Sequence, residues 1–137
     1  MKKLILLFVI STFALTLGYA QQVPEKSTTI VSTQADSIGL KEKVLKVLAD
    51  KGYTLLSTKN PQVISTAAKT LKGGARVQYN IQIKCADIFI SGKIPVSGQA
   101  GAVISYQGKK GTPIMDGWEE MDKIAKALGG KIRYELK

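Results

Sequence analysis

Histidine is absent from the 137 residues, cysteine and tryptophan occur once each, and proline occurs four times. Without histidine, Ser-His-Asp and Cys-His catalysis and His-ligated zinc or haem have no side chains to work with in this chain. One cysteine leaves neither an intramolecular disulfide nor a cysteine-rich metal cluster. Most common enzyme chemistries fall at this step, so no catalytic residue, metal or cofactor is expected. Long basic runs are missing too: Lys+Arg outnumber Asp+Glu by 20 to 10, but never five in succession, and scattered lysines serve solubility first. No internal repeat occurs.

The first twenty residues read as an export signal. Lys2 and Lys3 precede an apolar stretch from Leu4 to Leu17, and Gly18 and Ala20 supply small residues before a cleavage point. The stretch falls short of the ~20 apolar residues that span a bilayer. The expected organisation is therefore a signal peptide at 1–20, a flexible tail at 21–26 carrying Pro24, and a single domain at 27–137. No cysteine follows the apolar stretch, so a lipid anchor is not expected, nor is a transmembrane span after cleavage. Periplasmic or secreted localisation follows. There an excess of basic residues meets envelope proteins and anionic envelope polymers in place of nucleic acid.

In the remaining chain, the β-branched run Ser27 to Thr33 predicts a strand. Leu40, Val44, Val47 and Leu48 then recur at helical spacing behind Asp36 or Ser37 as cap, with Gly52 just past the end. Tyr53 to Thr58 and Val63 to Leu71 predict strands separated by Lys59-Asn60-Pro61, and Gly73-Gly74 makes a turn. From Ala75 the pattern alternates. Val77, Tyr79, Ile81, Ile83 and Cys85 share one face, and Arg76, Gln78, Asn80, Gln82 and Lys84 share the other, so one face is buried and one is wet. A turn at Ala86-Asp87 would set Cys85 opposite Ile88 and make that thiol a core residue. Across Gly73-Gly74, Ile64 would pair with Ile83, placing Thr66 and Ala68 toward the core. Ser97 to Thr112 is glycine-rich and predicts a mobile loop or extended hairpin with a short strand at 102–106. Its Gly108-Lys109-Lys110-Gly111 lacks P-loop spacing. After Pro113, Trp118, Met121, Ala125 and Leu128 form the apolar stripe of a second helix ending at Gly129-Gly130. Ile132, Tyr134 and Leu136 alternate and predict a final edge strand.

The order β-α-β-β-β-β-α predicts an α+β two-layer sandwich, a curved antiparallel sheet with two helices. The stretch Val47-Leu48-Ala49-Asp50-Lys51-Gly52-Tyr53-Thr54-Leu55, a helix stopping at glycine and turning straight into a strand, resembles the TATA-binding-protein-like and helix-grip small exported bacterial domains. The resemblance extends over Thr28 to Leu128 and implies a binding or assembly module.

Three groups of residues are candidates for a working site. The wet sheet face would gather Lys69, Arg76, Lys84 and Lys93 around Gln78, Asn80, Gln82 and Phe89, with amides for directional hydrogen bonds and an aromatic anchor for an envelope protein or anionic polymer. Its plain alternative is an ordinary solvated sheet face. The interior between sheet and C-terminal helix, with Ala68, Tyr79, Ile81, Ile90, Trp118 and Met121, would hold a small apolar ligand if it opened into a cavity. A filled core is the simpler use of those residues in a small domain. Asp116, Glu119, Glu120 and Asp122 gather at the start of the second helix, where negative charge complements the helix dipole.

Overall fold

The computed structural model describes residues 23–97 and 99–136. The export signal expected at 1–20 lies outside the described residues. Of the expected tail, Val23 packs against the core, and the N–H of Lys26 donates to Tyr106 O at 2.9 Å.

The elements run β1 (Thr29–Thr33), α1 (Leu40–Asp50), β2 (Leu55–Leu56), β3 (Val63–Thr66), β4 (Lys69–Thr70), β5 (Arg76–Lys84), β6 (Asp87–Val96), β7 (Gln99–Val103), α2 (Pro113–Leu128) and β8 (Lys131–Glu135). They form an α+β sandwich. The curved, unclosed antiparallel sheet has the order β2-β3-β5-β6-β1-β8, with β4 on β5 and β7 on β6. Both helices are amphipathic and bury their apolar stripes, Leu40, Val44 and Leu48 on α1 and Met115, Trp118, Met121, Ile124, Ala125 and Leu128 on α2. Against them the sheet sets Ile30, Ile64, Val77, Tyr79, Ile81, Ile88 and Ile90, making one core. The final edge strand forms as the alternation predicts, with Ile132 opposite Ser32 and Tyr134 opposite Ile30.

Two close approaches set the thickness of this sandwich. On α2, Gly117 faces Val77 and Ile104, where a Cβ would sit 2.8 Å from Ile104 Cδ1. The missing side chain brings the helix backbone within reach of the Tyr79 hydroxyl, which donates to Gly117 O at 2.8 Å. On β6, Gly92 lies under the Tyr79 ring, and a Cβ there would be 2.7 Å from Tyr79 Cδ1. Tyr79 and Ile104 thus fill the space that Gly92 vacates, Ile104 and Val77 fill that of Gly117, and Tyr53 meets Tyr79 edge-on at 5.6 Å. At the far end of α2 a polar clasp ties helix to sheet: the buried Ser32 hydroxyl donates to Gly129 O at 2.6 Å and accepts from Gln34 Nε2 at 2.7 Å.

Three local expectations are corrected. The β5–β6 hairpin closes at Lys84↔Asp87, with Ile83 opposite Ile88, so Cys85 and Ala86 are the turn. Cys85 is exposed at φ 53 and is not a core residue. The register slip of two keeps the paired strand side chains on their expected faces, because side chains alternate with period two. Helix α1 starts after Gly39, and the Asp36 carboxylate instead accepts the N–H of Ile38 at 3.0 Å. The strand expected from Val63 to Leu71 breaks in the middle, and Ile64 pairs with Ile81 in place of Ile83. Thr66 Oγ1 takes the N–H of Tyr79 at 3.0 Å, and the Ala67 N–H turns to Thr54 O at 2.8 Å. Pairing resumes with Lys69 opposite Val77, a one-residue shift that moves Lys69 to the helix side.

Candidate binding face

On the sheet face turned away from the helices, the register writes out three cross-strand rows. Gln78, Lys93 and Val103 form the first, and Ser65, Asn80 and Ser91 the second. Gln82, Phe89, Val31 and Arg133 form the third. Each side chain is on this face because it alternates with a core residue on its own strand. Gln78, Asn80 and Gln82, for instance, alternate with the buried Val77, Tyr79 and Ile81.

Seven of the eight face residues expected from sequence are brought together. Arg76 is exposed beyond Gln78, and Lys93 stands directly opposite Gln78. Phe89 is half-buried beside Gln82, with the Lys84 ammonium 5.7 Å from its ring centroid. Lys69 is the exception. On the helix side its Nζ donates to Lys51 O and lies 4.5 Å from the Tyr53 ring centroid. Of the expected ligand-cavity residues, Tyr79, Ile81, Ile90, Trp118 and Met121 are packed in the core. Ala68 falls in the break between β3 and β4.

Charge is distributed unevenly along the face. At its Lys84 end, Asp87 is opposite Lys84, accepts from the Thr33 hydroxyl at 2.6 Å, and pairs with Arg133 at 3.4 Å. Those contacts, the Thr33 hydrogen bond foremost, hold the Asp87 carboxyl below its ordinary range. The end bearing Arg76 and Lys93 is different. There the first two rows, together with Thr29 at the end of β1, line a concavity of about 450 Å³ that contains Gly92, Lys93 and Val103 and, among the described residues, no acidic side chain. The concavity arises where β6 changes partner. Its residues Asp87 to Ile90 pair with β1, whereas Lys93 to Val96 pair with β7. Between the two partners Thr29 is 1 % exposed, and its Oγ1 has no hydrogen-bond partner among the described residues.

Sequence reasoning missed Thr29, Ser65 and Ser91 as site residues. Their alternation was visible, but only the partner change of β6 brings Thr29 beside Lys93. Two of the four carboxylates expected at the start of α2, Glu120 and Asp122, are engaged structurally. Glu120 accepts from the Tyr53 hydroxyl at 3.3 Å, and Asp122 accepts from Tyr134 at 3.0 Å and pairs with Lys126 at 2.6 Å. A second concavity of about 510 Å³ beside them mixes Asp116, Glu119 and Glu120 with Lys69, Lys72 and Lys123. Among the described residues no three cysteines or carboxylates cluster to hold a metal, and no helix is long and apolar enough to cross a membrane.

Comparison with protein-family models and with curated proteins finds no match.

Proposed function

We propose that this chain is an exported, non-catalytic binding domain that contacts an anionic envelope polymer or an envelope protein through the sheet face opposite the helices. The observation that carries the reading is the uncompensated positive end of that face. Arg76 and Lys93 flank rows of amides and hydroxyls, and among the described residues no acidic one lines the concavity. The export signal read at residues 1–20 and the resemblance to TATA-binding-protein-like exported modules agree with a role in the envelope. Amides and hydroxyls supply directional hydrogen bonds, while the two cations supply attraction over a Debye length.

The test reverses both cations. Arg76→Glu with Lys93→Glu is expected to abolish retention of the protein by its own envelope fraction while leaving the melting temperature unchanged, since Arg76 and Lys93 are exposed. Retention that survives the double reversal would overturn the reading.

A further inference from the structure

We propose that the concavity beside Thr29 is a subsite for one sugar unit carrying an anionic group, either a uronate carboxylate or a sugar phosphate. The inference deepens the reading above and rests on it. Six side chains carry the argument: Thr29, Ser65, Gln78, Asn80, Ser91 and Lys93, all lining the same space. Five of the six are uncharged groups that both donate and accept, the chemistry that matches the vicinal hydroxyls of a sugar ring. The sixth, Lys93, stands opposite Gln78 and supplies the single cation. Asn80 is held in place because its Oδ1 accepts from the Ser65 hydroxyl at 3.2 Å. That bond leaves the Asn80 amide N–H groups as donors.

The decisive residue is Thr29, which lines the concavity and whose Oγ1 is buried and without a hydrogen-bond partner among the described residues. A buried hydroxyl without a partner is destabilising in a protein, and a ligand hydroxyl at this position would satisfy it. The carboxylate opposite Thr29 does not compete for the ligand's cation partner, because Glu135 is paired with Arg133 Nε at 2.9 Å. An acidic peptide fits the site less well: among the described residues Lys93 is the only cation lining the space, and the one apolar side chain from the outer face is Val103.

Calorimetric titration of the purified protein with glucuronate, glucose 6-phosphate, glucose and inorganic phosphate tests the proposal. At least one acidic sugar is expected to bind, the preferred one naming the source of the charge. Glucose and inorganic phosphate should each bind about tenfold more weakly, as expected when either the anion or the hydroxyls are missing. Thr29→Val should weaken the acidic sugar about fivefold while leaving the melting temperature unchanged or higher, a combination that a purely structural hydroxyl would not give. Lys93→Gln should erase the preference for the acidic sugar over glucose. The proposal falls if no acidic sugar binds up to about 10 mM, if phosphate alone binds as well as the sugars, or if Thr29→Val binds like the parent. Should these fail while envelope retention still depends on Arg76 and Lys93, only the sugar subsite is wrong. Loss of the charge dependence itself overturns the broader reading.

Discussion

Gly92→Ala tests the packing that seats the curved sheet on its core. The added Cβ would be 2.7 and 2.9 Å from Tyr79 Cδ1 and Cε1 and 2.9 Å from Ile104 Cδ1. Contacts that short force something to move. The Ile104 methyl is the end of a flexible side chain, but it already lies against Gly117 on the other side. Tyr79 is 1 % exposed and tethered to Gly117 O, so its ring has little room to tilt without stretching that hydrogen bond. Overpacking of this kind costs about 1–3 kcal/mol. Replacing a strand glycine by alanine returns roughly 0.5–1 kcal/mol through backbone entropy. The net expectation is a loss of about 1–2 kcal/mol. At roughly 4 °C per kcal/mol for a domain of this size, thermal unfolding followed by circular dichroism should show the midpoint falling by about 4–8 °C. Adding Ile104→Val, which removes the crowding methyl, should cost less in the Gly92→Ala background than alone, where the same change is worth about 0.5–1.5 kcal/mol. An unchanged or raised midpoint, or strict additivity of the two substitutions, would refute the claim that Gly92 is required by the Tyr79 ring.

The position of the β5–β6 turn predicts that Cys85 reacts with a thiol reagent in the native protein at the rate of an exposed cysteine; reaction that awaits denaturant would place the thiol back in the core. Burial first, and then the Asp122 carboxylate, raise Tyr134 from 10.0 to about 12, and burial raises Tyr53 and Tyr79 above their ordinary value as well. A phenol whose ionisation is raised by folding stabilises the folded state fully below its unfolded value, and that contribution is lost as pH climbs from 10 through about 12. Phenolate absorbance is therefore expected to rise together with loss of structure in this alkaline window, with a shallower decline in Tyr134→Phe; identical slopes in the two proteins would contradict it.

Much of the sandwich is written in local pattern. Helical spacing at Leu40, Val44 and Leu48 and at Trp118, Met121 and Leu128 commits two segments to one-sided helices. Strict alternation from Val77 to Ile83 commits a strand to one wet face and one buried face. Those periods decide which side chains turn inward before any partner is chosen, which is why Gln78, Asn80 and Gln82 were legible as face residues. They remained so although the hairpin closes one residue earlier than expected, because the resulting register slip of two preserves parity. Lys69 shows the limit. A single irregularity at Ala67 and Ala68, fixed by the Thr66 hydroxyl capturing the Tyr79 N–H, reverses its side. Nothing in the local pattern of Val63 to Leu71 announces that break. The concavity belongs wholly to the tertiary structure, since it exists only where β6 exchanges β1 for β7 and leaves Thr29 stranded beside Ser91 and Lys93. Alternation fixes the face on which a side chain lies, because it depends on backbone geometry within one strand. Which side chains meet across strands depends on pairing between segments as distant in sequence as Ile30 and Ile90, and that is settled only when the chain folds.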